Sequence, residues 1–534
     1  MRGLRIVAAV AKVSTVAAAV ASFGLVLGAG HSNDSRILVA LFAIWVLSPF
    51  VVLVVANMLS KHWSVHTQAT LHGLSLVIVV GSLAIYGNAV LLPPGSKIAF
   101  PFLVVPFGAW VLVASIVPLS ALISGRLSRW EKARWLIRAV AGVAMFGVVG
   151  IVVLLGLLLL DHERETTLPM PTGSFAVGRT AYVWSDPAHR DAMAPTPGAK
   201  RELLAWIWYP AAPRQPSQTF DDYLPAPWRA ALEQQTSVLL RQFLTRDLSR
   251  IRVHSIRDAE LSPLARSYPV ILMRGGHSAL VADYTSLAED LASHGYVVAG
   301  FDAPYRSFVV VFPDGRVISR APQNDAELVG GAEKVHLAEK LVQAWSADMS
   351  FALDKIERLN TADPSGRFTG RLDLQRVGAF GHSLGGATAL QFCHDDPRCK
   401  AGIDVDGAPF GSVVGEGVTQ PLMFLMSDHR GETDPESRWV EANFHAIYDR
   451  TPRDRRLQIM IQGANHFMFS DGAMLKSPIL MGVLRMLGVV GIDGRRQIAL
   501  SQHYISTFFD VYLKGAPATQ LRTQAGYPEI VYTR

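Results

Sequence analysis

Ser383 lies in Gly381-His382-Ser383-Leu384-Gly385, a G-x-S-x-G run that suits a hydroxyl nucleophile. Val377–Phe380 before it is apolar and predicts a short strand; Gly386-Ala387-Thr388-Ala389-Leu390 after it predicts the first turns of a helix. A strand that turns this sharply into a helix holds its central residue in a strained backbone. Only glycines fit two places to either side. The serine needs a base to take its proton and a carboxylate to fix the base's tautomer. In parallel sheets with this elbow, the acid and then the histidine follow the serine along the chain. The base candidate is His466, in GANHFMF directly after the predicted strand Leu457–Gln462; His382, His394, His429 and His445 have no comparable placement. The acid candidates are Asp404, Asp406 and Asp428. Asp406 is preferred because it ends the predicted strand Ala401–Val405. Asp428, in LMSDHR after the next strand, is the alternative acid, and Asp404 reads as a structural carboxylate. An oxyanion hole needs two converging amides. One is assigned to Leu384, next after the nucleophile, the other to His277 in the glycine-bearing loop RGGHSAL. The imidazole of His277 reads as a wall of the site. This chemistry asks for no metal and no organic cofactor.

The elements that must carry these residues are strands apolar throughout, alternating with helices. The predicted strands are Tyr268–Met273, Tyr296–Phe301, Val377–Phe380, Ala401–Val405, Pro421–Met426 and Leu457–Gln462. The predicted helices include Tyr284–His294 and Glu333–Leu359. Such alternation indicates an α/β domain whose parallel sheet is covered on both faces. Two strands rich in β-branched and aromatic residues precede it, FAVGRTAYVW and ELLAWIWYP. Asp221–Arg257 reads as a polar, partly helical insertion.

The 534 residues are too many for one core. Residues 1–160 hold eleven of the 50 Lys and Arg but only two of the 44 Asp and Glu, Asp34 and Glu131. The rest of the chain is nearly balanced, so the basic excess belongs to the first third and does not point to nucleic acid. That third contains five apolar runs, at about 5–30, 36–59, 70–92, 100–124 and 137–160, each long enough to cross about 30 Å of hydrocarbon. The breaks between them are His31–Arg36, Lys61–Gln68, Pro93–Lys97 and Arg126–Arg138. The last break carries Arg126, Arg129, Lys132, Arg134 and Arg138, which places it in the cytoplasm. Lys61, Arg2 and Arg5 then fall inside as well, and everything after Leu160 falls outside. His62, His66 and His72 lack an acidic or thiol companion and read as interfacial rather than metal-binding. The expected organisation is a transmembrane region 1–160, a linker 161–172 and a catalytic domain 173–534.

Cys393 and Cys399 are the two cysteines. Their spacing suits a short disulfide loop in an oxidising compartment equally with two free thiols. The apolar segment Ile479–Gly491 reads as a closing core helix, with a bilayer or acyl-chain contact as the alternative.

From about Gly173 to Leu521 the chain resembles the plasma-type, group VII platelet-activating factor acetylhydrolases, serine hydrolases of the α/β-hydrolase fold. The resemblance lies in GHSLGGATAL around Ser383, AEDLASHGYVVAGFDAPYRS, CKAGIDVDGAPFG around Asp406, QPLMFLMSD, and QGANHFMFSDG around His466. It also covers GSFAVGRTAYVWSD and AWIWYP. It implies the triad Ser383, Asp406 and His466, and hydrolysis of short or oxidised acyl chains from phospholipids without calcium. The family's oxyanion loop usually reads H-G-x-G, whereas this chain has Gly275-Gly276-His277-Ser278. The N-terminal spans have no counterpart there. The resulting expectation is a membrane-anchored serine esterase acting on a small ester or phospholipid at the outer side of the membrane. An acyltransferase with the same triad and a non-catalytic ligand-binding domain are the alternatives.

Overall fold

The computed structural model of the chain describes residues 2–29, 36–91, 99–123, 153–236, 244–430, 434–486, 490–522 and 526–532. It divides into two compact units, one of residues 1–157 with 487–489, the other of 158–486 with 490–534.

In the first unit, helices Arg2–Ala29, Arg36–Leu59, Val65–Leu91 and Ala99–Ile123 coincide with the first four apolar runs. Three of them contain stretches long and apolar enough to cross a bilayer: Val7–Gly28, Phe42–Leu59 and Val65–Gly87. Several of their buried polar groups are satisfied close by. Thr15 Oγ1 donates to the carbonyl of Ala11, Ser75 Oγ to that of Leu71, and Asn57 Nδ2 to that of Leu53. Helices that face lipid must meet their polar groups internally in this way. The breaks His31–Arg36 (up to residue 35), Pro93–Lys97 and Arg126–Arg138 lie outside the described residues, as does 137–152 of the fifth run; Val153–His162 is helical.

The second unit is built on a twelve-stranded sheet. Its first strands are β1 (Thr166–Thr167), β2 (Ala176–Arg190), β3 (Lys200–Ala211), β4 (Phe220–Asp222) and β5 (Ile251–Arg257). Next come β6 (Tyr268–Arg274) and β7 (Val297–Asp302), then a separate hairpin of β8 (Val309–Val311) and β9 (Val317–Ser319). The sheet resumes with β10 (Leu372–His382), β11 (Cys399–Val405), β12 (Leu422–Met426), β13 (Arg456–Ile461) and β14 (Ile530–Tyr532). The order across it is β1-β5-β2-β3-β7-β6-β10-β11-β12-β13-β14, with β4 beside β5. From β7 to β13 every pairing is parallel, while β2, β3 and β14 add antiparallel neighbours. The α/β-hydrolase fold is therefore present, with a mixed first half.

Two cores explain why the central strands are apolar on both sides. On one face, helices Thr285–Ser293 and Gly494–Lys514 bury Leu287, Leu291, Ile498, Phe508 and Phe509. On the other, helices Gly331–Thr361 and Leu384–Asp395 bury Met349, Leu353, Ile356, Ala389 and Phe392. The sheet approaches its helices closely: a Cβ on Gly378 would stand 2.6 Å from the Phe509 ring.

The expected insertion Asp221–Arg257 is only partly an insertion. It holds helix Ala226–Gln235, but Ile251–Arg257 is the sheet strand β5. Its first four residues, IRVH, alternate apolar and polar and are buried accordingly, the period expected of a strand near a sheet edge, before Ser255 and Ile256 are both buried. Within the expected linker, Thr166–Thr167 pairs with β5 and Leu168 is buried. Ile479–Gly491 begins as helix Pro478–Met486, with Met481 packed against Met468 and Val490. A disulfide joins Cys393, near the end of the elbow helix, to Cys399 at the start of β11.

Candidate active site

The elbow follows from steric exclusion. Ser383 has φ 58° and ψ −132°, between the end of β10 and the first residue of helix Leu384–Asp395. That conformation is costly for a residue with a side chain, and it persists only where the surroundings enforce it. A Cβ on Gly381 would lie 2.1 Å from the carbonyl oxygen of Gly385, and one on Gly385 would lie 2.4 Å from that of Arg274. Glycine is required at both places because backbone meets backbone.

Ser383 Oγ stands 3.1 Å from His466 Nε2, and His466 Nδ1 stands 2.8 Å from Asp406 Oδ2. His466 follows β13 and begins a short helical turn, after Asn465 caps it by accepting the amide of Phe467. Asp406 follows β11 with φ 54° and is 4 % exposed. Burial alone would raise its pKa, but hydrogen bonds from His429 and His466 outweigh this and hold the carboxyl well below the usual carboxylate range. Ser427 adds its amide at 2.8 Å and its hydroxyl at 2.6 Å, and His429 Nε2 lies 2.8 Å from Asp406 Oδ1. Every lone-pair direction of this carboxylate is thus directed at a donor.

The other candidate acids are placed elsewhere. Asp428 is bound by Arg430 at 2.7 Å and by the amide of Gly463 at 2.7 Å, and the Arg430 hydrogen bond leads in bringing its pKa down to about 2. Asp404 is fully buried; its Oδ1 accepts the amide of Gly407 at 2.8 Å, its Oδ2 has no partner among the described residues, and burial raises its pKa well above the usual range. It props the elbow: a Cβ on Gly386 would fall 2.0 Å from its Oδ1.

The loop after β6 is fixed by a side-chain relay. The amide of Gly276 donates to Tyr284 Oη at 3.1 Å, and Tyr284 Oη lies 2.7 Å from His382 Nδ1. His382 Nε2 in turn lies 2.9 Å from the carbonyl of His466. The neutral tautomer that satisfies all three places the proton on Nε2. Burial, and then the charge of His466, push His382 down to about 3. With the Gly276 amide taken, the amides of His277 and Leu384 have no hydrogen-bond partner among the described residues. A Cβ on Gly276 would be 3.3 Å from Ser383 Cβ, so this loop abuts Ser383. Arg320 Nη1 donates to the carbonyl of His277 at 2.9 Å and turns that peptide. The imidazole of His277 lies 3.2 Å from Asp325 and lines the cavity. That cavity, of about 670 Å³, opens over Ser383, His382 and His466.

The model of the family described as platelet-activating factor acetylhydrolase, isoform II, matches residues 160–514. The chain belongs to this family. Among its relatives, the platelet-activating factor acetylhydrolase of Cavia porcellus is 24% identical over 372 residues, covering 65% of this chain and 80% of the relative. A probable 1-alkyl-2-acetylglycerophosphocholine esterase of Arthroderma benhamiae is 24% identical over 396 residues, covering 68% and 93%. Among solved structures, a ferulic acid esterase from Streptomyces cinnamoneus matches with a TM-score of 0.57 and 25% identity, covering 70% of this chain and 100% of that one. This acetylhydrolase-family protein is an ester-hydrolysing enzyme of the α/β-hydrolase fold.

Several residues of the candidate site escape a reading of the sequence. His429 has the same Asp406 carboxylate as His466, although its loop position after β12 gave it no assignment. Its signal was adjacency to Asp428, where a second acid is sought. Tyr284 and Ser427 carry no motif at all. The cluster His162, Glu163 and Asp247 has metal-ligand donor types within 4.8 Å of one another, but Arg250 already pairs with both carboxylates.

Proposed function

We propose that this chain is a membrane-anchored serine esterase whose nucleophile is Ser383, whose base is His466 and whose acid is Asp406. The reading rests on the unbroken hydrogen-bond chain from Ser383 through His466 to Asp406 at the ends of β10, β13 and β11. Ser383 Oγ attacks the ester carbonyl as its proton passes to His466 Nε2. The amides of Leu384 and His277 hold the oxyanion, and His466 returns the proton to the departing alcohol. A water activated by the same imidazole then releases the acid and restores the serine. Asp406 stays ionised throughout and stabilises the imidazolium.

The relatives' names support a phospholipid-like ester with a short acyl chain as substrate. We assign residues 1–160 to anchoring, 161–172 to a connector tied to the sheet edge by Thr166–Thr167, and 173–534 to catalysis. The basic residues between 126 and 138 favour a cytoplasmic N-terminus and an outward catalytic domain. Protease added to intact cells then digests the catalytic domain; full protection overturns that orientation.

The decisive experiment is labelling of the detergent-solubilised full chain with a fluorophosphonate. Wild type is labelled and releases acetate from an acetyl ester. Ser383→Ala does neither, its turnover falling by roughly 10⁴–10⁶-fold. Labelling or turnover that survives in Ser383→Ala overturns the assignment.

A further inference from the structure

The amide of His277 belongs to a turn at 276–279, which the amide of Ala279 closes by donating to the carbonyl of Gly276 at 3.2 Å. That carbonyl and the His277 amide are opposite ends of one peptide plane, so whatever fixes the turn also aims the amide. The relay through Tyr284 holds the start of the turn at Gly276. Its central residues, His277 and Ser278, are held from elsewhere, by residues 320–327 directly after the hairpin of β8 and β9.

The grip is made at several points. Arg320 Nη1 donates to the carbonyl of His277 at 2.9 Å and lies 3.3 Å from Ser278 Oγ. Ser278 Oγ donates in turn to Glu327. His277 Nε2 lies 3.2 Å from Asp325 Oδ1 and 3.2 Å from the amide of Ala326. The gripping residues are tied to one another, since Arg320 Nη2 donates to Asp325 Oδ2 at 2.8 Å. Burial alone would raise the Asp325 carboxyl, but the contacts with His277 and Arg320 bring it down to about 2, so it is ionised at neutral pH. The Arg320 side chain is only 9 % exposed. Its rigid fork of donors lets one guanidinium fix a carbonyl and a carboxylate together. A buried ion pair is weak evidence for stability. Here both members end on the residue whose amide the proposed mechanism uses. Ser278, which Glu327 holds, stands where the family's loop usually has glycine.

We propose that Arg320, braced by Asp325, is a positioning residue for the oxyanion hole, locking the turn so that the His277 amide meets the oxyanion without rearrangement. This rests on the reading of Ser383 as nucleophile and of the Leu384 and His277 amides as donors. The test uses the detergent-solubilised full chain, a neutral aryl acetate as substrate and two inhibitors of equal length. An alkyl trifluoromethyl ketone is attacked by Ser383: the bond from Oγ to the carbonyl carbon forms, the carbonyl oxygen takes the electron pair as an oxyanion, and the hydroxyl proton passes to His466. The corresponding trifluoromethyl carbinol has no carbonyl and binds without forming an oxyanion. Arg320→Met is expected to lower kcat by about 10²-fold with KM within about threefold, as for loss of one oxyanion donor. Its Ki for the ketone rises in step with the fall in kcat/KM, while its Ki for the carbinol stays at the wild-type value. Arg320→Lys fills the same space and keeps the charge but loses the fork, so its kcat falls by about tenfold; it carries the same comparison should Arg320→Met fail to fold. Equal weakening of ketone and carbinol, or a ketone Ki that does not change, overturns the positioning role and leaves the catalytic reading standing. A ketone that binds Ser383→Ala as tightly as wild type overturns the catalytic reading instead.

Discussion

Behind His466 and in front of it, the same imidazole faces two different electrostatic regions. Behind it, Asp406 receives His466, His429 and both donors of Ser427, so one buried charge is met on all sides. In front of it, the amides of His277 and Leu384 have no hydrogen-bond partner among the described residues. Where polar groups are satisfied before substrate arrives, the structure is holding something still. Where they are left open, it is prepared to bind. The contrast separates positioning from recognition within one domain.

The sharpest way to break the closed region is to remove its charge while keeping its shape. Asp406→Asn leaves the same outline but the wrong partner for His466 Nδ1, and kcat is expected to fall by about 10⁴-fold. Asp428→Asn, outside that region, is expected to stay within about threefold of wild type in the same steady-state assay. A similar loss in both variants would erase the distinction between the two acids.

The next effect is on stability rather than rate. His382 is held down to about 3 in the folded protein, against about 6.5 in an unfolded chain. The unfolded state therefore binds more protons between those values, so this group's contribution is complete above about pH 6.5 and lost as pH falls toward 3. The thermal midpoint of the full chain should decline across that window, and His382→Gln should flatten the decline. An unchanged slope would remove His382 from the closed region.

A smaller effect is expected at its rim. His429 is exposed over 43% of its side chain, and His429→Gln should lower kcat by about fivefold and reshape the acid limb of the pH–rate profile, with KM for a neutral ester little changed. A profile superimposable on wild type would reduce His429 to a bystander.

Much of this was legible in the residues because backbone sterics leave plain marks. The elbow announces itself through Gly381 and Gly385, whose absent side chains make room for carbonyl oxygens. The central strands announce themselves as apolar runs because both faces are covered. Asp406 was legible as the first polar residue beyond one strand end, and His466 as the histidine in the loop directly after another. Strand β5 was not, because a run with two arginines and a histidine looks like surface until its alternation is weighed against its neighbours. The Gly276–Tyr284–His382 relay and the His429 contact were hidden for another reason. They join residues from separate loops, and such pairings depend on side-chain directions that spacing along the chain does not encode.

The amide of Ser383 donates to the carbonyl of Val405, immediately before Asp406, at 2.9 Å. Ser383 and Asp406 thus hang from a single seam between adjacent strands, and whatever distorts one carries the other with it. The histidine arrives on a separate loop beyond β13, so alignment of the trio has one adjustable member. Sequence drift, temperature or a remote insertion should therefore spoil this enzyme first by letting the imidazole wander, long before the serine and the aspartate lose sight of each other.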